Sequence, residues 1–190
     1  LTICLFLLTF QSNAQSYEND DFKIGTNKFK LLPSKFEHKG YAFKCIPCKA
    51  DIGLQITYGE SNSKITNQYI MDILKLSENE KEKFAIDMVQ KSFEENIPIS
   101  IRRQIGNPEI VIHRYDENSE ALERIDYWGV LGIHFLASLY IGDNLAFEDT
   151  SVFIHKNRIG VIRINYFDGD IDSTTGNAIK DFMHTLEFKK

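Results

Sequence analysis

Past its first few residues the chain has no apolar run approaching the ~20 residues that a bilayer-spanning helix needs, and it carries only three cysteines. It also lacks a basic surplus: 22 Lys and Arg stand against 27 Asp and Glu, a formal charge of −5. A mildly acidic protein exerts no global pull on nucleic acid, and the one basic doublet, Arg102-Arg103, falls far short of a basic face with stacking aromatics. The catalytic signatures that can be read directly are missing too. There is no Gly-x-Ser-x-Gly elbow, no His-Glu-x-x-His and no phosphate-binding Gly-rich loop. No complete catalytic set is therefore assigned, and no cofactor is expected.

What is present begins with Leu1–Ala14. The run Ile3-Cys4-Leu5-Phe6-Leu7-Leu8 is too short to span a membrane, and it ends in Gln11-Ser12-Asn13-Ala14, with small residues at the −3 and −1 positions of a signal-peptidase site. Residues 1–14 are expected to be a secretory signal peptide, and the mature chain to begin near Gln15, secreted or periplasmic. No initiator Met or basic n-region precedes the leader, so the true start is expected upstream. Residues 15–28 are polar and read as a flexible arm, and residues 29–190 as one domain. Apolar content of 43% and aromatic content of 12% are enough for such a domain to build a core. Losing Cys4 with the leader leaves Cys45 and Cys48, an even pair in a compartment that permits disulfides.

Strand-like pieces are expected at Phe29–Leu32, Tyr41–Cys45 and Ile52–Tyr58, and a short helix over Asn67–Leu76. Ser77 and Glu80 form a capping box. Behind it Phe84, Ala85, Met88, Val89 and Phe93 recur at helical spacing until Asn96 and Pro98 stop the helix. Ile99–Ile105 and Ile110–Tyr115 flank Gly106-Asn107-Pro108 and predict a hairpin. In Val130–Ile141, Leu131, Ile133, Phe135, Ala137, Leu139 and Ile141 alternate with His134, Ser138 and Tyr140, the pattern of a strand with one buried face. Ser151–Lys156 and Ile159–Phe167 predict a second hairpin across Asn157-Arg158. A last helix is expected over Thr174–Leu186. The order of elements is α+β, a central antiparallel sheet packed against helices, and not a βαβ alternation.

This order, closing on Ile179-Lys-Asp-Phe-Met-His-Thr-Leu-Glu-Phe188 after a long antiparallel hairpin, resembles the PsbP-like fold. That group includes photosystem II extrinsic proteins, the Ran-binding Mog proteins and many bacterial secreted proteins. The resemblance covers roughly residues 36–188 and implies an antiparallel sheet with helices on it, used mainly as a binding or assembly module. The leader, with Gln15 directly after Ala14, is similar to those of Bacteroidota secreted proteins.

Three constellations could carry chemistry. Cys45-Ile46-Pro47-Cys48-Lys49 sets two sulfurs close enough to bond, and its ending looks like the thioredoxin active site. There, however, the pair opens a helix that lowers the first thiol's pKa. Here a strand-like segment follows, so the options are a structural disulfide, a redox-active pair, or half of a four-ligand zinc site. His113, His134 and His155 each lie in a predicted strand. On one sheet face in matching register they could build a three-His metal centre, and a metal-dependent hydrolase with it; otherwise they are three separate strand residues. Asp168, Asp170 and Asp172 stand at alternate positions like the start of a calcium loop. Yet Ser173 replaces the loop's Gly and Ile179 its closing Glu, so the alternative is an acidic turn capping the last helix. Ser138 lies about 13 Å from His134 along an extended strand, too far for direct proton transfer. The leading expectation is a non-enzymatic module binding a protein or small ligand, with no nucleic acid and no membrane span after leader cleavage. A periplasmic thiol–disulfide oxidoreductase is the second.

Overall fold

A computed structural model describes residues 16–32, 40–49, 52–114, 119–167, 169 and 172–190. The expected leader, residues 1–14, lies outside the described residues. In chain order the elements are β1 (Tyr17–Glu18), β2 (Phe22–Ile24), β3 (Phe29–Leu32), β4 (Gly40–Cys45), β5 (Gly53–Tyr58), α1 (Asn67–Leu74), α2 (Glu78–Asn96), α3 (Ile99–Ile105), β6 (Glu109–His113), β7 (Glu123–Ile125), β8 (Gly132–Ile141), β9 (Asn144–His155), β10 (Arg158–Phe167), α4 (Ser173–Thr185) and β11 (Leu186–Phe188). The fold class is α+β, as the order of elements predicts.

The main sheet runs β3-β4-β5-β10-β9-β8-β6, with β7 also paired to β8; a smaller sheet runs β1-β2-β11. Every pairing is antiparallel. Side chains alternate between two faces, and the helices cover different halves of the two. On one face Ile133, Phe135 and Ala137 of β8 and Val152 of β9 pack under Ile70 of α1 and Ala85, Val89 and Phe93 of α2. On the other, Phe43, Leu54, Ile56, Ile162 and Ile164 of β4, β5 and β10 pack under Phe182 of α4 and Phe22 of the small sheet. The offset leaves the second face of β6 and the Tyr140 end of β8 without an α-helix over it, while β11 covers that face of β9, where Phe188 meets Phe153 with ring centres 4.5 Å apart.

Local chemistry explains most boundaries. The capping box is present: the Ser77 N–H donates to the Glu80 carboxylate at 2.9 Å and starts α2. The buried side chain of Lys81 reaches Glu78 at 2.9 Å and Glu120 at 2.6 Å, tying that helix start to the segment before β7. Lys156 and Asn157, at φ 49° and 57°, make the β9–β10 turn, with His155 opposite Arg158. Two successive left-handed residues are what a two-residue hairpin with matching twist requires. The turn therefore sits one residue before the expected Asn157-Arg158.

Three expectations are corrected. Ile99–Ile105 is helix α3, not a strand. Its isoleucines find no partner strand, none of its residues is buried, and the Arg102 side chain folds back to donate to the Ile97 carbonyl at 3.0 Å. Gly106-Asn107-Pro108 consequently joins a helix to a strand, and Gly106 takes φ 78° at the helix end. The expected arm carries β1 and β2: Phe22 is wholly buried and Ile24 pairs with Leu186 of β11, a strand that begins where the expected last helix ends. Finally, the polar side of β8 is closed at His134 and Ser138, which are both buried, and open at its Tyr140 end.

Candidate interaction surface

Cys45 ends β4 and is 3% exposed, packed into the core beneath α4, while Cys48 is half-buried. Their sulfurs lie at bonding distance, with Cα atoms 5.5 Å apart. The chain then leads to strand β5, so among the described residues the pair does not itself open a helix whose N-terminus would stabilise a thiolate. Lys49 approaches Asp172 at 3.8 Å, which brings this corner next to the start of α4. Such a pair can tie the β4–β5 corner; its attacking sulfur is poorly presented for exchange.

The three histidines occupy separate neighbourhoods. His113 Nε2 lies 2.5 Å from Ser138 Oγ. His134 Nε2 lies 2.9 Å from Asp149 Oδ1, and its Nδ1 lies 3.9 Å from Glu123. Burial pushes the His134 pKa down, but the Asp149 hydrogen bond and charge, helped by Glu123, outweigh it and hold the imidazole above its ordinary value. His155 Nε2 lies 2.6 Å from the Lys189 carbonyl and must donate to it, while its buried Nδ1 has no partner. Burial, helped by the charges of Lys156 and Arg158, holds that imidazole below its ordinary value despite the Lys189 bond. Among the described residues no group of three His, Cys, Asp or Glu side chains gathers in a way that could hold a metal.

Asp172 caps α4, its Oδ1 accepting from the Thr175 N–H at 2.8 Å. That bond holds its carboxyl below the usual range. Asp168 and Asp170 lie outside the described residues.

Two groupings escape the sequence reading. Ser138, 1% exposed, meets His113 across the β6–β8 ladder and not His134 along its own strand. No carboxylate backs His113 among the described residues, so the pair orients β6 and is not armed as a nucleophile. Glu148 and Arg163 are both buried on the α2 side, 3.4 Å apart, and Glu148 also accepts from Ser92 Oγ at 2.9 Å and Thr150 Oγ1 at 3.0 Å. Burial drives the Glu148 carboxyl upward, more than Arg163 and the hydroxyls pull it down. Charges placed on the apolar face of β9 and β10 were the available signal, but their partner Ser92 lies 56 positions away.

Nine large apolar residues are exposed among the described residues, and four of them, Leu32, Ile46 (61% exposed), Tyr69 and Phe167, are scattered over β3, the β4–β5 corner, α1 and β10. Ile99 (59% exposed), Ile101 and Ile105 lie on α3, and Val111 (41%) and Tyr140 (44%) share the uncovered face of β6 and β8. These five belong to one edge of the main sheet and the helix leading into it. Phe147 continues the face, stacked on Tyr166 of β10 with ring centres 5.2 Å apart. By contrast, the best-formed hollows among the described residues are open. One is lined by Thr66, Asn67, Gln68, Ile154, Lys156 and Asn157, the other by side chains along α2. Neither has the enclosed apolar walls of a small-molecule pocket. No described helix is long and apolar enough to cross a membrane.

No family model matches the chain, and no curated protein matches it. Among solved structures it is similar to the solution structure of cyanobacterial PsbP (CyanoP) from Synechocystis, at 14% identity over 92% of each chain with a TM-score of 0.57. A crystal structure from Bacteroides thetaiotaomicron aligns at 9% identity over 89% of this chain and 45% of that one, with a TM-score of 0.46. At these identities the first likeness speaks for the fold alone: the chain has the PsbP-like fold, as its order of strands and helices implied.

Proposed function

We propose that the chain is a non-enzymatic binding module, secreted or periplasmic, that docks on a partner protein through α3 and the uncovered face of β6 and β8. The observation that carries this reading is that five of the nine exposed large apolar side chains among the described residues fall on α3, β6 and the end of β8, with Arg102 and Arg103 on α3 as well. Clustered exposed apolar residues of this kind mark interaction sites. A protein partner suits a flat, aromatic-bearing surface better than a small ligand does, because the hollows elsewhere are open. The extracytoplasmic address rests on the leader-like residues 1–14. Thiol–disulfide exchange has less support, given the burial of Cys45 and the strand that follows the pair. Hydrolysis on a three-His metal site has less still, since His113, His134 and His155 each hold a different partner.

Site-specific photocrosslinking in the native cell tests the proposal. A benzophenone amino acid is placed at Ile101 or Tyr140, and at Lys30 on the far edge of the sheet as a control. The expected result is a discrete protein adduct from the first two positions and none from Lys30. Equal labelling at all three, or none at Ile101 and Tyr140, would overturn it.

A further inference from the structure

We infer that two copies of this chain join through their β6 strands, paired antiparallel about a two-fold axis at Val111, so that the main sheet runs on from one copy into the next. This rests on reading the β6 side as the docking side, and it names the partner that the strand edge itself receives.

The two ends of the main sheet are treated differently. Edge strands present unpaired N–H and C=O groups, and proteins protect them with lysine, proline, bulges or a covering element. β3 is protected in this way, with the exposed Lys30 opposite Lys44 of β4. β6 is not. Glu109-Ile110-Val111-Ile112-His113 pairs with β8 over five consecutive positions without a bulge, and it has no strand on its outer side among the described residues. It contains no lysine or proline, and Val111 at its centre is exposed. The helix upstream of it, α3, buries none of its own residues.

The sequence of β6 is complementary to itself. An antiparallel pair centred on Val111 sets Val111 against Val111 of the second copy. Ile110 then faces Ile112 of the second copy on the α2 side of the sheet. Glu109 faces His113 of the second copy on the other side, and the same contact is made twice. Glu109 has no hydrogen bond or ion pair among the described residues, and His113 spends only Nε2 on Ser138, leaving Nδ1 for a carboxylate. A carboxylate opposite an imidazole is a favourable cross-strand pair, and β-branched residues opposite each other pack well. A five-residue edge alone is less than the ~1,200 Å² that a stable interface buries. Ile99, Ile101 and Ile105, on the helix three residues upstream, supply further apolar area.

Sedimentation of the mature chain over about a hundredfold concentration range tests the pairing, with Cys45 and Cys48 left in place. The wild type is expected to approach twice its monomer mass. Val111→Lys sets two ammonium groups against each other at the axis and is expected to abolish the dimer, leaving the circular dichroism spectrum unchanged and the melting temperature independent of protein concentration. Val111→Cys reads the register. Directly opposed residues have Cα atoms about 4.5–5.5 Å apart, within disulfide reach. Mild oxidation should therefore link 111 to 111, identified by peptide mapping, whereas Glu109→Cys, which faces His113 of the second copy, should not link to itself. A wild type that stays at its monomer mass, a dimer that survives Val111→Lys, or a dimer in which Val111→Cys fails to link would each overturn the inference. A monomer that still crosslinks to another protein at Tyr140 would sink the self-pairing and leave the docking reading standing. A 111-linked dimer with no such adduct would do the reverse.

Discussion

His134 and His155 lie on the same face of the main sheet and are displaced from the ordinary imidazole value of 6.5 in opposite directions. His134 gains when protonated, because Asp149 and Glu123 receive its charge. Its contribution to stability is complete below 6.5 and is lost as pH rises through its raised folded-state value. His155 loses when protonated, because a second N–H would be placed at a buried Nδ1 that has no acceptor. Its contribution is complete above 6.5 and is lost as pH falls through its lowered value. An NMR titration of the imidazole Hε1 signals should find His134 titrating above 6.5 and His155 below. Asp149→Asn should move His134 downward and leave His155 where it is; a common midpoint for both rings would contradict the geometry. The strand position of each histidine is legible in the alternating pattern around it. The partners are not, because Asp149 is 15 positions from His134 and Lys189 is 34 from His155, and only the register brings them together.

At the scale of elements, strong local signals survived folding and weak ones did not. α2 was legible because its capping box and its Ala85, Val89 and Phe93 stripe agree with each other. α3 was misread because isoleucine at positions 99, 101 and 105 imitates the alternation of a strand, and with no neighbour to pair with, the segment coils into a short helix instead. β1, β2 and β11 were missed because strands of two or three residues carry almost no periodicity, and β2 and β11 find each other from opposite ends of the chain. The β9–β10 turn was placed one residue late, and its geometry can be tested. Asn157 sits at φ 57° and Lys156 at 49°, but the Lys156 side chain also donates to the Asp20 carbonyl at 2.6 Å. Asn157 is therefore the position to relax. Asn157→Gly removes the left-handed cost without losing a side-chain contact, and should raise the unfolding free energy by about 0.5–1 kcal/mol in urea titration. A loss of stability would mean that the turn is not of this type.

Seen whole, the molecule is a sheet with helices on opposite halves of its two faces, and that offset decides where it can be approached. α+β class and the PsbP-like order of elements were both legible in the sequence. The location of the bare half was not, because it depends on which strands α2 and α4 each cover. Within this frame the Cys45–Cys48 pair closes the β4–β5 corner at the far end from β6, under α4, where bond-making with an outside partner is hindered. The central claim is that the molecule binds and does not catalyse, and among the described residues this pair is the constellation with reaction chemistry of its own. Its reduction potential is therefore the most direct measurement, made on the purified mature protein against glutathione or dithiothreitol. A structural tie predicts a value below about −300 mV, out of reach of the glutathione pool. A value between about −120 and −270 mV would lie in the range of exchange enzymes and contradict the account.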